Sequence, residues 1–144
     1  MNRLVLFVLV ALITGCGGPK FVPVSGIIKL NGEPYGKAVI TFQPISTESD
    51  PNPGRGSSAL TDANGRYSLE SGTNKGAIIG KHRVRIQTAG GNVVGQDPTQ
   101  VAEDGAPAVR NVDPIPPEWN SNSAKEFEVP LAGTDKADFD IVTK

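Results

Sequence analysis

The residues with the types and spacing to do chemistry are few in this chain of 144 residues. His82 is the only histidine, so a zinc site built on several imidazoles, or a relay between two histidines, has no second member. It shares the parity of Val84 and Ile86, which predicts a partly buried residue at the start of a strand. Asp62-Ala63-Asn64-Gly65 carries oxygens that a calcium loop could use. An EF-hand loop needs glycine at its sixth position and glutamate at its twelfth, and here those are Tyr67 and Thr73, so the segment reads as a turn. The acidic pairs Glu126/Glu128 and Asp138/Asp140 could serve as paired carboxylates if a cleft joined them. A spacing of two instead puts each pair on the wet face of a strand. Arg83 and Arg85 can face them across a sheet, for about 0.2–1 kcal/mol a pair. Serine and aspartate are plentiful, but no Gly-x-Ser-x-Gly elbow presents a nucleophile. No catalytic residue, metal ligand or cofactor is therefore expected. Trp119, Tyr35 and Tyr67 remain as candidates for stacking a sugar ring, against the ordinary use of aromatics as core in a chain where they are only 6% of residues.

Cys16 is the other chemically distinct residue, the sole cysteine, which excludes an intramolecular disulfide. Met1-Asn2-Arg3 gives a positive start, Leu4 to Ile13 is unbroken apolar sequence, and Thr14-Gly15 are small residues immediately before the cysteine. An apolar run of about ten residues is too short to cross a bilayer core of roughly 30 Å as a helix and fits the core of a signal peptide. Ile13-Thr14-Gly15-Cys16 resembles a bacterial lipobox, in which a signal peptidase cuts before a cysteine that carries lipid. The expectation is a signal peptide over 1–15, a lipid-anchored tether over 16–21 and a domain over 22–144. Each buried CH₂ contributes about 0.8 kcal/mol, so two or three acyl chains on one cysteine hold where a single chain would not. In such anchors an aspartate after the cysteine favours retention at the inner membrane; Gly17 stands there, which favours an outer membrane, facing the periplasm or the cell surface.

Without residues 1–15 the chain keeps 13 basic and 15 acidic residues, scattered along its length. Binding to nucleic acid or to an anionic lipid surface needs a concentrated basic face, so no nucleic-acid partner is expected and the anchor must be the lipid itself. The 17 glycines and 12 prolines recur between short apolar segments that alternate with a period of two. Val22, Val24, Gly26, Ile28 and Leu30 share one parity, as do Ala38, Ile40 and Phe42, then Tyr67 and Leu69, Val84 and Ile86, Phe127, Val129 and Leu131, and Phe139 and Ile141. Alternation means one face buried and one wet, which predicts an all-β fold of antiparallel sheets covering each other as a β-sandwich. Asn31-Gly32 and Asn64-Gly65 are hairpin signals, and Asp62 can hydrogen-bond the backbone two residues on. Two stretches do not read as strands: 45–58, and a long Pro/Gly-rich loop at about 89–120, part of which is expected to dock on the sandwich through Ile115 and Trp119.

Val24-Ser25-Gly26-Ile27-Ile28-Lys29-Leu30-Asn31-Gly32-Glu33-Pro34 resembles the opening of a carboxypeptidase-regulatory-like, or transthyretin-like, domain. Ala38 to Phe42 fits its second strand, and Gly80-Lys81-His82-Arg83-Val84 fits its Gly-x-Tyr/His-x-Val strand. Thr61-Asp62-Ala63-Asn64-Gly65-Arg66-Tyr67 fits its most recognisable motif, Thr-Asp-x-x-Gly-x-Tyr/Phe. The resemblance covers residues 22–88, and Pro114 to Ile141 looks like the ending of planctomycete-type lipoproteins with this domain. It implies a seven-stranded Greek-key sandwich of the transthyretin-like (prealbumin-like) kind, a fold that hosts many functions. One relative of that fold is a purine-pathway hydrolase with several histidines and a C-terminal Tyr-Arg-Gly-Ser; this chain has one histidine and ends Asp140-Ile141-Val142-Thr143-Lys144. The expected function is a membrane-anchored structural or protein-interaction module whose partner is an envelope protein, with a carbohydrate-binding module as the alternative. A link of six residues from Cys16 to Val22 reaches about 20 Å. The end of the sandwich bearing Val22 should then face the lipid, with residues 45–58 projecting from the opposite end.

Overall fold

The computed structural model describes residues 18–90 and 113–143, so Cys16, the apolar run before it and residues 91–112 of the long loop lie outside the described residues. The elements in chain order are β1 (Phe21–Val22), β2 (Ser25–Leu30), β3 (Glu33–Pro34), β4 (Ala38–Pro44), β5 (Ser57–Leu60), β6 (Arg66–Ser68), β7 (Glu70–Ser71), β8 (Asn74–Lys75), β9 (Ala77–Ile78), β10 (Gly80–Thr88), a 3₁₀ turn (Pro117–Trp119), β11 (Glu126–Val129) and β12 (Phe139–Ile141).

The larger sheet runs β11-β10-β4-β5-β7-β8, with antiparallel neighbours throughout. Alternation decides its faces. Ala38, Ile40, Phe42 and Pro44 of β4 and His82, Val84 and Ile86 of β10 point inward, while Gln43, Lys81, Arg83, Arg85 and Gln87 point to water. The smaller sheet is built on β2, with β12 along one edge and β6 and β3 sharing the other. Its Ile28, Tyr67 and Ile141, with Val24 and Leu69 flanking its strands, meet the inner face of the larger sheet in one core, joined by Ile115 from the long loop. The result is an all-β sandwich. Phe42 lies at its centre with no exposed surface, edge-on to Phe127 at 5.4 Å and to Phe139 at 6.2 Å between ring centroids.

The two Asn-Gly turns are of different kinds. At Asn31-Gly32 both residues have positive φ, 54° and 85°, and the turn joins β2 to β3 as a two-residue hairpin. At Asn64-Gly65 only Gly65 is left-handed, at 71°. The turn there joins no pair of neighbouring strands, because β5 pairs with β4 and β6 with β2. It is a corner that carries the chain from one sheet to the other.

Three side chains and a glycine build this corner. The Thr61 hydroxyl accepts from the Ala38 N–H at 2.9 Å and donates to the Tyr35 carbonyl at 3.0 Å. The Asp62 carboxylate accepts from the N–H of Asn64 at 2.8 Å and of Arg66 at 2.9 Å. A Cβ on Gly65 would run into the Ile28 carbonyl oxygen, and the Gly65 carbonyl accepts from Ile28 N–H at 2.8 Å. Tyr67 then turns inward and donates its hydroxyl to the Ala137 carbonyl at 2.6 Å.

Three further expectations are corrected. First, the sheets are not antiparallel everywhere: β12 runs parallel to β2, with Phe139 opposite Ile28 and Ile141 opposite Leu30. The carboxylates of Asp138 and Asp140 are not simply solvated, since they accept from the N–H groups of Ile27 at 2.8 Å and Gly32 at 3.1 Å. Second, of residues 45–58 the last two open β5, and 45–56 lie at the same end as the start of β1, not the opposite one. The Ile45 N–H donates to the Lys81 carbonyl at 2.9 Å, and Gly54 sits against Pro19 and Ile78. Third, Leu30 and Phe139, expected in the core, are only half-buried: Leu30 is the last residue of β2 and Phe139 lies on the edge strand β12.

Candidate functional site

Among the described residues, the first with a backbone hydrogen-bond partner is Lys20, whose carbonyl accepts from the Ile79 N–H at 3.3 Å. Phe21 and Val22 then pair with Ile78 and Ala77. The lipid-attachment candidate Cys16 thus stands four residues before a backbone position tied into the sandwich.

The three stacking candidates do not share a surface. Tyr67 is 5% exposed, and its ring offers no face to a ligand; burial, reinforced by the charge of Asp138, pushes its hydroxyl far above the ordinary tyrosine range. Alternation placed Tyr67 on an inward parity, and the corner it completes is why it cannot turn out. Tyr35 is half-buried, its hydroxyl paired with Thr88 Oγ1 at 2.9 Å. The Thr88 hydroxyl donates to Asp113 at 2.6 Å, its N–H donates to the same carboxylate at 2.9 Å, and so does the Ile115 N–H at 2.9 Å. Asp113 is therefore a clasp that fastens the returning long loop to the end of β10. The same carboxylate fixes the position of Ile115, which is buried in the core as the docking expectation requires.

Trp119 is half-buried at the last position of the 3₁₀ turn. Its ring stands edge-to-face with Phe139 at 6.1 Å, and Phe139 in turn with Phe127 at 6.0 Å. Phe127 and Phe139 are also half-buried, so three aromatics line the seam where the edge strands β11 and β12 face each other. Lys125 lies over the Trp119 ring, Nζ 4.6 Å from its centroid, a contact of about 0.5–1 kcal/mol at an accessible position. The sequence pointed to Trp119 but gave Phe127 and Phe139 only as alternating core residues; their gathering depends on two edges that are distant in the chain.

His82 is more deeply placed than a strand-end residue need be, at 1% exposure. Its Nδ1 pairs with the Gly80 carbonyl at 2.9 Å, while Nε2 is buried without a partner. Its ring packs on Phe42 at 5.7 Å. Burial holds its pKa below the usual histidine value, with the Gly80 contact opposing in part. An imidazole enclosed in this way cannot reach a substrate. The remaining acidic pair keeps its place on the outer face, with Arg83 opposite Glu126 and Lys81, rather than Arg85, opposite Glu128.

Among the described residues no three His, Cys, Asp or Glu side chains gather as a metal site. A shallow, open depression of about 310 Å³ is lined by Pro23, Ser25, Ala132, Gly133, Thr134 and Asp135. Its backbone groups are already consumed, Ser25 N–H by the Thr134 carbonyl and Thr134 N–H by the Pro23 carbonyl, each at 2.9 Å. No protein-family model, curated protein or solved structure matches this chain.

Proposed function

We propose that this chain is an envelope lipoprotein, held by lipid on Cys16, that displays a non-catalytic β-sandwich as a structural or protein-interaction module. The observation that carries the reading is the order at the N-terminus: positive start, apolar run, small residues, sole cysteine, and an ordered strand five residues later. Two observations support display: the only histidine is buried, and Asp138 and Asp140 are engaged with the N–H groups of Ile27 and Gly32. The fold is read as transthyretin-like: among the described residues, strands of three or more residues are β2, β4, β5, β6, β10, β11 and β12, seven in all, which supports a seven-stranded Greek key. The expected location is an outer membrane, facing the periplasm or the surface, with an envelope protein as partner and no nucleic acid.

Mass spectrometry of the protein from native envelopes tests the anchor. A mature chain beginning at an acylated Cys16 is expected, and Cys16→Ser should shift the protein from the membrane to the soluble fraction while its thermal unfolding stays unchanged. An unmodified thiol, or a mature chain beginning elsewhere, refutes the reading.

The second reading, a carbohydrate-binding module, rests on the half-exposed Trp119 beside Phe139 and Phe127. A stacking sugar would displace Lys125 from the indole. Trp119 is the only tryptophan, so a glycan screen followed by its intrinsic fluorescence reports directly on this ring. A change that saturates with one glycan class and disappears in Trp119→Ala supports this reading.

A further inference from the structure

The strand directions divide the sandwich into two ends. At one end lie the start of β1, the loop at 45–56 that touches Pro19 through Gly54, the turn between β7 and β8, β9, the start of β10 and Gly133 against Pro23. At the other lie the Asn31-Gly32 turn, the corner at Asp62–Gly65, the Thr88–Asp113 clasp and the exit of β12, where Asn31 and Thr143 hydrogen-bond at 2.9 Å. The nine residues of β10 run from the first end to the second, a span of about 26 Å.

Resting on the reading that Cys16 carries lipid, we propose that the first end sits on the phospholipid headgroups and that the second is the face presented to partners. The length of the tether carries the argument. The sandwich takes hold of the chain at Lys20, not at Val22, so four peptide units separate it from Cys16. Fully extended they reach about 14 Å, well short of the length of the sandwich. A body on a link of this reach cannot bring its far end to the bilayer while the near end stays clear of it.

The near end is not held there by charge. Lys20, Arg55 and Lys75 stand among Glu48, Asp50 and Glu70, and Lys75 lies directly opposite Glu70 between β7 and β8. A balanced end of this kind suits neutral, zwitterionic headgroups as well as acidic ones, and its approach to the bilayer is set by chain length alone. The occupant of this surface is therefore the headgroup layer itself, whatever its charge.

The test uses the full lipidated chain, extracted from membranes and reconstituted in phosphatidylcholine vesicles that contain a headgroup-nitroxide lipid. Acylation consumes the Cys16 thiol, so single cysteines can carry a fluorophore at exposed positions: Asn52→Cys or Thr73→Cys at the near end, Ala63→Cys or Val142→Cys at the far end. The near pair should lose most of its emission to the nitroxide and the far pair almost none, with the same pattern when phosphatidylglycerol is added. Equal quenching of all four positions, or stronger quenching at 63 and 142, overturns the orientation while leaving the lipoprotein reading intact. A chain that neither floats with the vesicles nor carries acyl groups by mass spectrometry overturns both.

Discussion

At Gly65 two requirements coincide: a left-handed backbone at 71°, and a carbonyl oxygen of Ile28 where a side chain would begin. Left-handed geometry alone costs a non-glycine residue about 1–3 kcal/mol, and the close approach adds to it. Gly65→Ala is therefore expected to destabilise the protein by more than about 2 kcal/mol in chemical denaturation. The exposed Asn64 should accept aspartate with a change within about 0.5 kcal/mol. Equal, small effects at both positions would show that the corner tolerates a side chain. His82 makes a prediction of opposite character. Its folded pKa lies below its unfolded value, near 6.5. Above that pH both states are neutral and the full stability is present. As the pH falls through it, the unfolded chain gains a proton that the folded core refuses, so stability declines until the folded pKa is reached. Lowering the pH from 7.5 to 5.5 should depress the melting temperature of the native protein. His82→Gln, which has no proton to gain, should flatten that part of the profile. A profile unchanged by the substitution would mean that other groups govern the acid limb.

On the scale of elements, the C-terminal strand is held by devices that alternation does not reveal. Asp138, just before it, accepts from Ile27 of β2, Asp140 accepts from Gly32 in the turn after β2, and the strand's flank carries the Ala137 carbonyl that Tyr67 needs. Asp138→Ala removes a hydrogen bond worth about 1 kcal/mol and should raise amide exchange at Ile27 and through β12 before the rest of the fold responds. Asp138→Asn, which keeps an acceptor, should restore most of the protection. Full protection in the alanine variant would show that the strand is held by packing alone. Alternation placed β4 and β10 correctly residue by residue, because each has one buried and one wet face. It could not give the direction of β12, since parallel and antiparallel partners impose the same period of two. Nor could Asn-Gly chemistry tell a hairpin from a corner: the local turn is satisfied by Asp62 in either case, and only Thr61 and Tyr67, reaching to Ala38 and Ala137, commit it to two sheets. The aromatic seam was hidden for a related reason. Phe127 and Phe139 read as core from their own strands, and become a partly open surface beside Trp119 only because both strands lie at edges.

For the molecule as a whole, the parallel pairing of β12 with β2 joins segments more than a hundred residues apart, the Ile27–Asp138 contact spanning 111. Such distant pairings slow folding, because loop entropy must be lost before they contribute. A chain ending at Lys136 would lack the acceptor for Tyr67, the core side chain of Ile141 and the cover on β2. It should lose cooperative unfolding and become readily digested by protease; a sharp melting transition in that truncated chain would contradict this account. There is a consequence for the order of synthesis. An early strand, β2, is covered along one edge by β12, made more than a hundred residues later, so that hydrogen-bonding edge stays open until Phe139–Ile141 have been made. Open edges of this kind recruit other strands. Until β12 is made, a growing chain would depend on whatever escort keeps that edge of β2 occupied.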